Sequence, residues 1–446
     1  MKVLLKWLQD FVDIEDNPAQ IAEKLTMVGL ETEEVIYTKE LFKNVVVGKI
    51  LKIENHPSSD KLKICEVSVG TDTVKIVCGA PNVEENRYVV VALPGAELQG
   101  NKIEKVNIRG VESCGMLCSE KDLGLAVHSE GIILLENSYT LGKPIYEEVY
   151  KDLDDVLFVI NITPNRGDCL SHLGIARELS AVFGKSLKKI ISKGPKLIGQ
   201  TKEFKVIIED PNLCRRYTGK LVKNVVIKPS PDYIKVRLSL CGMRPINNIV
   251  DITNYVMLGY GQPLHAFDYD LITNNTIIVR KAKKNERMVT LDGKERVLDE
   301  KDLVIADTDR IIALAGVMGG ANSEVNANTK NILIESAFFD PVSVRKTAKK
   351  LGLSSEASYR FERGVDIENT PIACEIAGNM MQNFADGQAV CGVLDTYPLP
   401  YEERIIKFRP SKCEGYLGTK LPAEEMEKRL ENLKFGITKK RFEWDI

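Results

Sequence analysis

Apolar positions in the first forty residues recur at helical spacing. Leu4, Leu5, Leu8, Phe11 and Val12 form one stripe, and Ile21, Leu25 and Val28 form a second. Asn17-Pro18 ahead of the second stripe has the form of an N-cap followed by proline in the first turn, and Gly29 fits the stop. Residues 1–40 are therefore predicted to hold two short helices. From about residue 43 the texture changes to short β-branched runs, Val45–Ile53, Leu62–Val69, Val74–Cys78 and Tyr88–Leu93, separated by Gly, Pro, Asn and Asp. That spacing predicts a small closed antiparallel barrel over residues 41–150.

Helical texture returns over residues 151–200. A turn at Thr163–Asp168 ends in a candidate N-cap. Leu170, Leu173, Ala176, Leu179 and Phe183 follow on one face, and Gly184 closes the helix. Basic residues with Gly and Pro punctuation make 185–199 a linker. Residues 204–400 mix strands (Phe204–Ile208, Ile277–Arg280, Leu303–Ala306, Ile311–Ala315, Ile332–Glu335) with helices (Pro231–Cys241, Pro341–Leu351, Pro371–Phe384), which predicts one large α+β domain. The stretch 401–446, helical around Glu424–Leu433, resembles the start of a further small domain.

Length and composition narrow the function classes. At 446 residues the chain holds two to four domains, and 44% hydrophobic with 28% charged residues is ordinary folded usage. A net charge of -2 excludes attachment to nucleic acid by bulk charge, leaving only a local basic groove. No run approaches the ~18 apolar residues of a membrane span, and early charges interrupt the N-terminus before a signal-peptide core can form. Ten scattered cysteines include no C-x-x-C pair. Cys114 and Cys118, with four dispersed histidines, do not make a zinc set, so reduced thiols in a cytoplasmic protein are expected. Nucleotide-loop, zincin and nucleophile-elbow motifs are absent.

Three stretches are denser in polar residues than packing requires. His56–Leu62, with Val77–Asn82 downstream, is either a turn between barrel strands or a nucleic-acid face to which Lys61 and Lys63 lend charge; acids are almost as numerous, so tight autonomous RNA binding is not indicated. In Met243–Tyr255 and Gln262–Asp268, polar residues punctuate an apolar run. Some must be buried and partnered, and a lone His265 is there either a satisfied core residue or a catalyst. In the third, Ile332–Phe339 with Ser354–Gly364, Glu335 interrupts a strand-like run. It lies either on an exposed face or buried against a specific donor, and the second case makes it a site candidate.

With these motifs in hand, the chain resembles the β subunit of bacterial phenylalanyl-tRNA synthetase from residue 1 to about 435. Trp7–Val12 is similar to that family's opening helix. His56–Leu62, Cys78–Asn82 and Ser113–Ser119 resemble its tRNA-binding barrel, and Thr163–Leu170 its helical return. Asn248–Asn254, Gln262–Asp268, Gly316–Gly320 and Glu356–Gly364 resemble its α+β editing domain.

The resemblance implies a multidomain α+β chain. It has a helical N-terminal domain with an inserted OB-fold barrel, a large editing domain, and the start of a small winged-helix-like domain. It implies an α2β2 ligase that charges tRNA(Phe) using ATP and Mg2+, with aminoacylation in the α subunit. The β subunit would hydrolyse tRNA mischarged with tyrosine. Glu335 and the backbone near Gly316 and Gly319 would then face the tyrosine hydroxyl, with Thr253, Asn254, His265, Ser355 and Ala357 in the same pocket and His265 holding or deprotonating the water, work that the 3′-terminal hydroxyl of the tRNA could share. The family commonly has threonine where Ser355 stands.

Such a second site is needed because a pocket for phenylalanine rejects an added hydroxyl by only ~100-fold. Relative to the family, the magnesium-binding, α-docking and C-terminal RNA-binding parts are missing beyond Ile446. No complete metal or nucleotide site is therefore expected, although Asp445 matches the position of the first magnesium carboxylate. A shortened chain of this kind has an alternative reading as a non-catalytic tRNA-binding or assembly module.

Overall fold

The computed structural model describes residues 1–190, 196–199 and 201–446, so the expected linker 185–199 falls partly outside the described residues. Both N-terminal helices form, as Leu5–Gln9 and Pro18–Met27, and the Asn17 side chain accepts from Ala19 N at 2.9 Å as the cap. The segments 1–40 and 151–200 are not purely helical. Strand Val156–Ile160 runs between Lys2–Leu4 and Thr32–Tyr37, antiparallel to both. Sequence patterning missed this sheet because its outer strands are short, Thr32–Tyr37 is mostly open to solvent, and the central strand lies far along the chain. Helix His172–Phe183 is capped by Ser171, which accepts from Gly174 N at 3.0 Å, rather than by Asp168. The Asp168 carboxylate instead takes two hydrogen bonds from Arg166.

The expected β-rich region holds two small two-stranded sheets, Glu97–Leu98 with Asn101–Lys102 and Val106–Ile108 with Val111–Ser113, and one curled six-stranded sheet. Met116–Leu117, Tyr88–Ala92, Val45–His56, Ser59–Ser68 and Thr73–Cys78 are neighbours in that order. Its far edges approach each other: Cys114 N donates to Lys75 O at 2.8 Å, and Val77 N donates to Ser113 Oγ at 3.0 Å. Ile50, Cys65, Val67, Ile76, Val89 and Val91 fill the interior. His56 is buried in the hairpin and pins it. Its Nδ1 accepts from Ser58 N, which leaves Nε2 to donate to Ile108 O at 3.0 Å.

Two sheets share one apolar core between about residues 197 and 396. The first runs Leu197–Ile198, Val393–Thr396, Cys214–Lys223, Ile332–Phe339, Leu264–Asp268; the second runs Lys205–Ile208, Thr276–Lys281, Leu303–Ala306, Ile311–Leu314, Met318–Gly319. Tyr217, Phe267 and Leu333 from the first meet Ile277, Val304 and Ile312 from the second. Helices Thr370–Phe384 and Asn248–Tyr260 cover the other face of the first sheet. Sequence patterning missed the central strand Cys214–Lys223, because Arg216 and Lys220 interrupt it. It also missed helix Asn248–Tyr260, whose cap Asn247 accepts from Ile249 and Val250 N and whose stop is Gly261 at φ 81°.

Beyond residue 401, strands Lys407–Phe408, Trp444–Asp445 and Thr438–Lys439 form a small sheet beside helices Pro410–Leu417 and Ala423–Asn432. The Asp445 carboxylate is held in two ion pairs. Lys407 and Lys440 hold its two oxygens, the second at 2.7 Å, and two ammonium groups leave little charge to attract a cation. Among the described residues no helix is long and apolar enough to cross a membrane.

Candidate functional site

A cleft of about 490 Å³ opens beside the edge of the first sheet. All eight residues of the expected pocket line it, although they span more than a hundred positions of sequence: Thr253, Asn254, His265, Gly316, Gly319, Glu335, Ser355 and Ala357. Register explains the central pair. Strands Leu264–Asp268 and Ile332–Phe339 run antiparallel with His265 directly opposite Glu335. Helix Asn248–Tyr260 packs on the first of these strands and carries Thr253 and Asn254. The tight turn from Ile311–Leu314 into Met318–Gly319 brings Gly316 and Gly319. Lys61, Lys63 and Asp445 do not belong to this cleft; Lys61 is exposed on strand Ser59–Ser68, and Lys63 donates to Asn55 at 2.6 Å.

Glu335 is 6% exposed, and its buried Oε2 has no hydrogen-bond partner. Burial among apolar groups penalises the charged form and pushes its pKa up to about 8. His265 is also unpartnered at Nε2, and burial lowers its pKa to about 4. Near neutral pH the cleft therefore holds an uncharged imidazole beside a mostly protonated acid. Sequence left Glu335 between an exposed and a buried position, and the structure buries it. The donor that a buried carboxyl was expected to have is not supplied by the protein.

Glycine is required at two places around this pair. A Cβ on Gly319 would lie 2.5 Å from His265 Cε1 and 2.7 Å from its Nε2, so the bare backbone makes room for the ring. Gly316 turns the chain at φ 69°, a left-handed conformation that disfavours side chains, and a Cβ there would press Phe361, Val344 and Phe339.

Two of the expected polar lining groups are already occupied. Thr253 Oγ1 donates to Val250 O at 2.7 Å. Ser355 Oγ donates to Val317 O at 2.8 Å while accepting from Ser358 N as the cap of helix Glu356–Phe361. These hydroxyls shape the wall rather than offer free donors. Sequence reasoning also missed the apolar lining, including Met243, Val250 and Leu291, since an apolar residue carries no chemical signature. Leu291 is tied in by its N–H donating to Gly319 O at 3.1 Å.

One other group of side chains has metal-ligand spacing, Asp168, Cys169 and Glu178. Arg166 already serves it, reaching Asp168 and Cys169 at 2.9 Å and Glu178 at 2.5 Å, so the cation there is a guanidinium. Cys118 is buried with its thiol pushed up to about 12, and neither it nor Cys114 approaches a ligand set among the described residues.

Comparison with known proteins places these features. Residues 213–386, which include the whole cleft set, match the family described as "B3/4 domain", and residues 45–144 match "Putative tRNA binding domain". The phenylalanine–tRNA ligase beta subunit of Geobacter metallireducens is 45% identical over 439 residues, covering 98% of this chain and 55% of that protein. Its counterpart from Moorella thermoacetica is 47% identical over 448 residues, with 98% and 55% covered. The chain thus spans about half the length of the curated relatives it matches. A solved N-terminal fragment of a phenylalanyl-tRNA synthetase β subunit from Pyrococcus horikoshii aligns at 14% identity, covering 66% of this chain and 81% of that one with a TM-score of 0.31, a likeness too loose to bear on the site. Over the length that matches, the chain is similar to phenylalanine–tRNA ligase beta subunits, and it carries both a B3/4 region and a tRNA-binding region.

Proposed function

We propose that the cleft hydrolyses the ester of tRNA(Phe) mischarged with tyrosine, and that the curled sheet over residues 45–144 helps to hold that tRNA. The observation that carries this reading is the pair at the cleft floor, Glu335 and His265, each with a buried polar atom that the protein leaves unpaired. Tyrosine differs from phenylalanine by one hydroxyl. An apolar cleft admits either ring, and only the phenol supplies a partner for the Glu335 carboxyl. Phenylalanine would leave that group desolvated and unpaired, which is how a site selects for a hydroxyl.

Hydrolysis then requires a water held against the ester carbonyl. His265 suits that task because its Nε2 is unpartnered and its imidazole stays uncharged throughout the neutral range, so it can hold the water as a hydrogen-bond acceptor. Gly319 gives the ring its place. In this reading the chain works within an α2β2 phenylalanine–tRNA ligase, whose α subunit performs aminoacylation with ATP and Mg2+; the reaction in this cleft is assigned no metal.

The test is hydrolysis of tyrosyl-tRNA(Phe) and phenylalanyl-tRNA(Phe) by this chain, alone and with the α partner. Preferential deacylation of the tyrosyl ester is expected. Binding of tRNA without any deacylation in either form would favour a non-catalytic tRNA-binding module.

A further inference from the structure

Glu335 is not the only orphaned polar group on its face of the sheet. Tyr217, on the adjacent strand Cys214–Lys223, is completely buried, and its hydroxyl has no hydrogen-bond partner. The register places the two close together. Gly219 stands directly opposite Glu335, and Tyr217 stands opposite Ala337, two residues along. Tyr217 is therefore the diagonal neighbour of Glu335, a separation of ~7–8 Å that long side chains can bridge. The position directly across from Glu335 carries no side chain, and the ring of Phe204 lies over it. Tyr217 is absent from the cleft lining whereas Glu335 is part of it, so the phenol does not open onto the cleft.

We infer that Tyr217 is a positioning residue for the carboxyl that reads the substrate hydroxyl: when a phenolic side chain enters the cleft, the Tyr217 O–H donates to the Glu335 oxygen that the ligand does not use. This deepens, and rests on, the assignment of the cleft to tyrosyl-ester hydrolysis. With a phenolic ligand the carboxyl would take two O–H donors, one from each side, and donors favour its charged form. With phenylalanine both orphans remain desolvated. Tyr217 then adds to selection without touching the ester. The ionisable groups facing this carboxyl are few: Tyr217 and Cys214 on one neighbouring strand and His265 on the other, with Glu324 and Glu356 in the cleft lining. Burial, and after it the charge on Glu335, holds the Tyr217 phenol well above its ordinary range, so it stays a donor at every working pH.

The experiment compares Tyr217→Phe, Glu335→Ala and the double variant in the full chain, reading hydrolysis of both esters from pH 6 to 9 and thermal unfolding. Tyr217→Phe should lower the tyrosyl-over-phenylalanyl ratio about tenfold, the worth of one hydrogen bond to a charged group. It should act mainly through KM for the tyrosyl ester and move the rise of the ratio to higher pH. The unfolding temperature should not fall, because the deleted hydroxyl has no partner to lose. In the Glu335→Ala background the same substitution should change nothing, since its target is gone. An unchanged ratio in Tyr217→Phe while Glu335→Ala collapses it overturns the Tyr217 assignment and leaves the cleft reading standing. An unchanged ratio in both variants overturns the assignment of hydroxyl reading to Glu335, and the Tyr217 role with it. A drop in unfolding temperature would show that the hydroxyl is bonded in the free protein, which also overturns the inference.

Discussion

Replacing Glu335 with alanine tests the selection step most directly. In the free protein the carboxyl has nothing to lose, since Oε2 is unpartnered and burial alone sets its titration. A phenol hydroxyl entering an apolar cleft would become its first partner. A hydrogen bond to a charged group is worth ~1.5–3 kcal/mol and one between neutral groups ~0.5–1.5 kcal/mol. At ~1.4 kcal/mol per tenfold, the charged bond amounts to ~10- to 150-fold and the neutral one to roughly 2- to 13-fold.

Which range applies depends on pH, because the unliganded carboxyl ionises only as pH rises through about 8. Wild-type selection should therefore strengthen between pH 6 and pH 9. Glu335→Gln, neutral at every pH, should show weak and level selection, and Glu335→Ala should show almost none. Steady-state deacylation of tyrosyl- and phenylalanyl-tRNA(Phe) across that range measures all three. If Glu335→Ala keeps the wild-type ratio, the hydroxyl is read elsewhere, with the backbone at Gly316 or Gly319 the first place to look.

Other perturbations separate the remaining roles. His265→Ala should slow hydrolysis of both esters by a similar factor and leave their ratio intact, as single-turnover rates would show; a selective loss of the tyrosyl reaction would place the imidazole on the phenol instead of the water. Glu335→Met should raise stability in urea unfolding by about 1–3 kcal/mol, because an unpaired buried polar group is removed while volume is kept. The sign with pH follows from the raised pKa: the wild-type protein loses stability as pH climbs from about 4.5 through about 8, and the variant lacks that slope. For the curled sheet, the near balance of acids and bases implies few phosphate contacts. Log affinity of the chain for tRNA against log salt should fall with a slope of only about 2–4 units. A steep slope would reveal a basic groove that composition hides.

What could be read from sequence divides along physical lines. Local signals were legible: the β-branched runs of the curled sheet, the Asn17 cap, the Gly184 stop at φ 63°, and the helix Pro341–Leu351. The eight expected cleft residues came from the family resemblance, and the register of two antiparallel strands brings the central pair face to face. Long-range compensation was not legible. Cys214–Lys223 is the middle of the first sheet, yet Arg216 and Lys220 disguise it. Both are tolerated inside only because their acidic partners arrive from more than 150 positions away, Asp395 and Glu368 for one and Glu375 for the other. The occupied hydroxyls of Thr253 and Ser355 were hidden for a related reason, since whether a side chain is free for a ligand depends on which backbone group folds against it.

That contrast separates structural burial of polar groups from functional burial in this fold. Arg216 has a bidentate pair with Asp395, a bond to Glu368 at 2.7 Å and a carbonyl at Ile367. Lys220 meets Glu375, Val390 O and Gly392 O. His172, entirely buried, uses both nitrogens, accepting from Leu4 N and donating to Leu258 O. Each of these groups is expensive to bury and each is fully satisfied, so its role is to tie elements together. Gln262, Asn322 and Arg363 leave one atom unpaired but bond through another, and Arg87 is only half-buried. Tyr217, Glu335 and His265 differ from all of these. The unpaired atom of each is the group through which it would act, and the three stand on adjacent strands of one sheet face. An orphaned polar group costs ~1–3 kcal/mol wherever it occurs. Two such costs fall in the cleft and the third on the neighbouring strand, and in the proposed reading they are offset when a ligand brings its own hydroxyl and water to the same place.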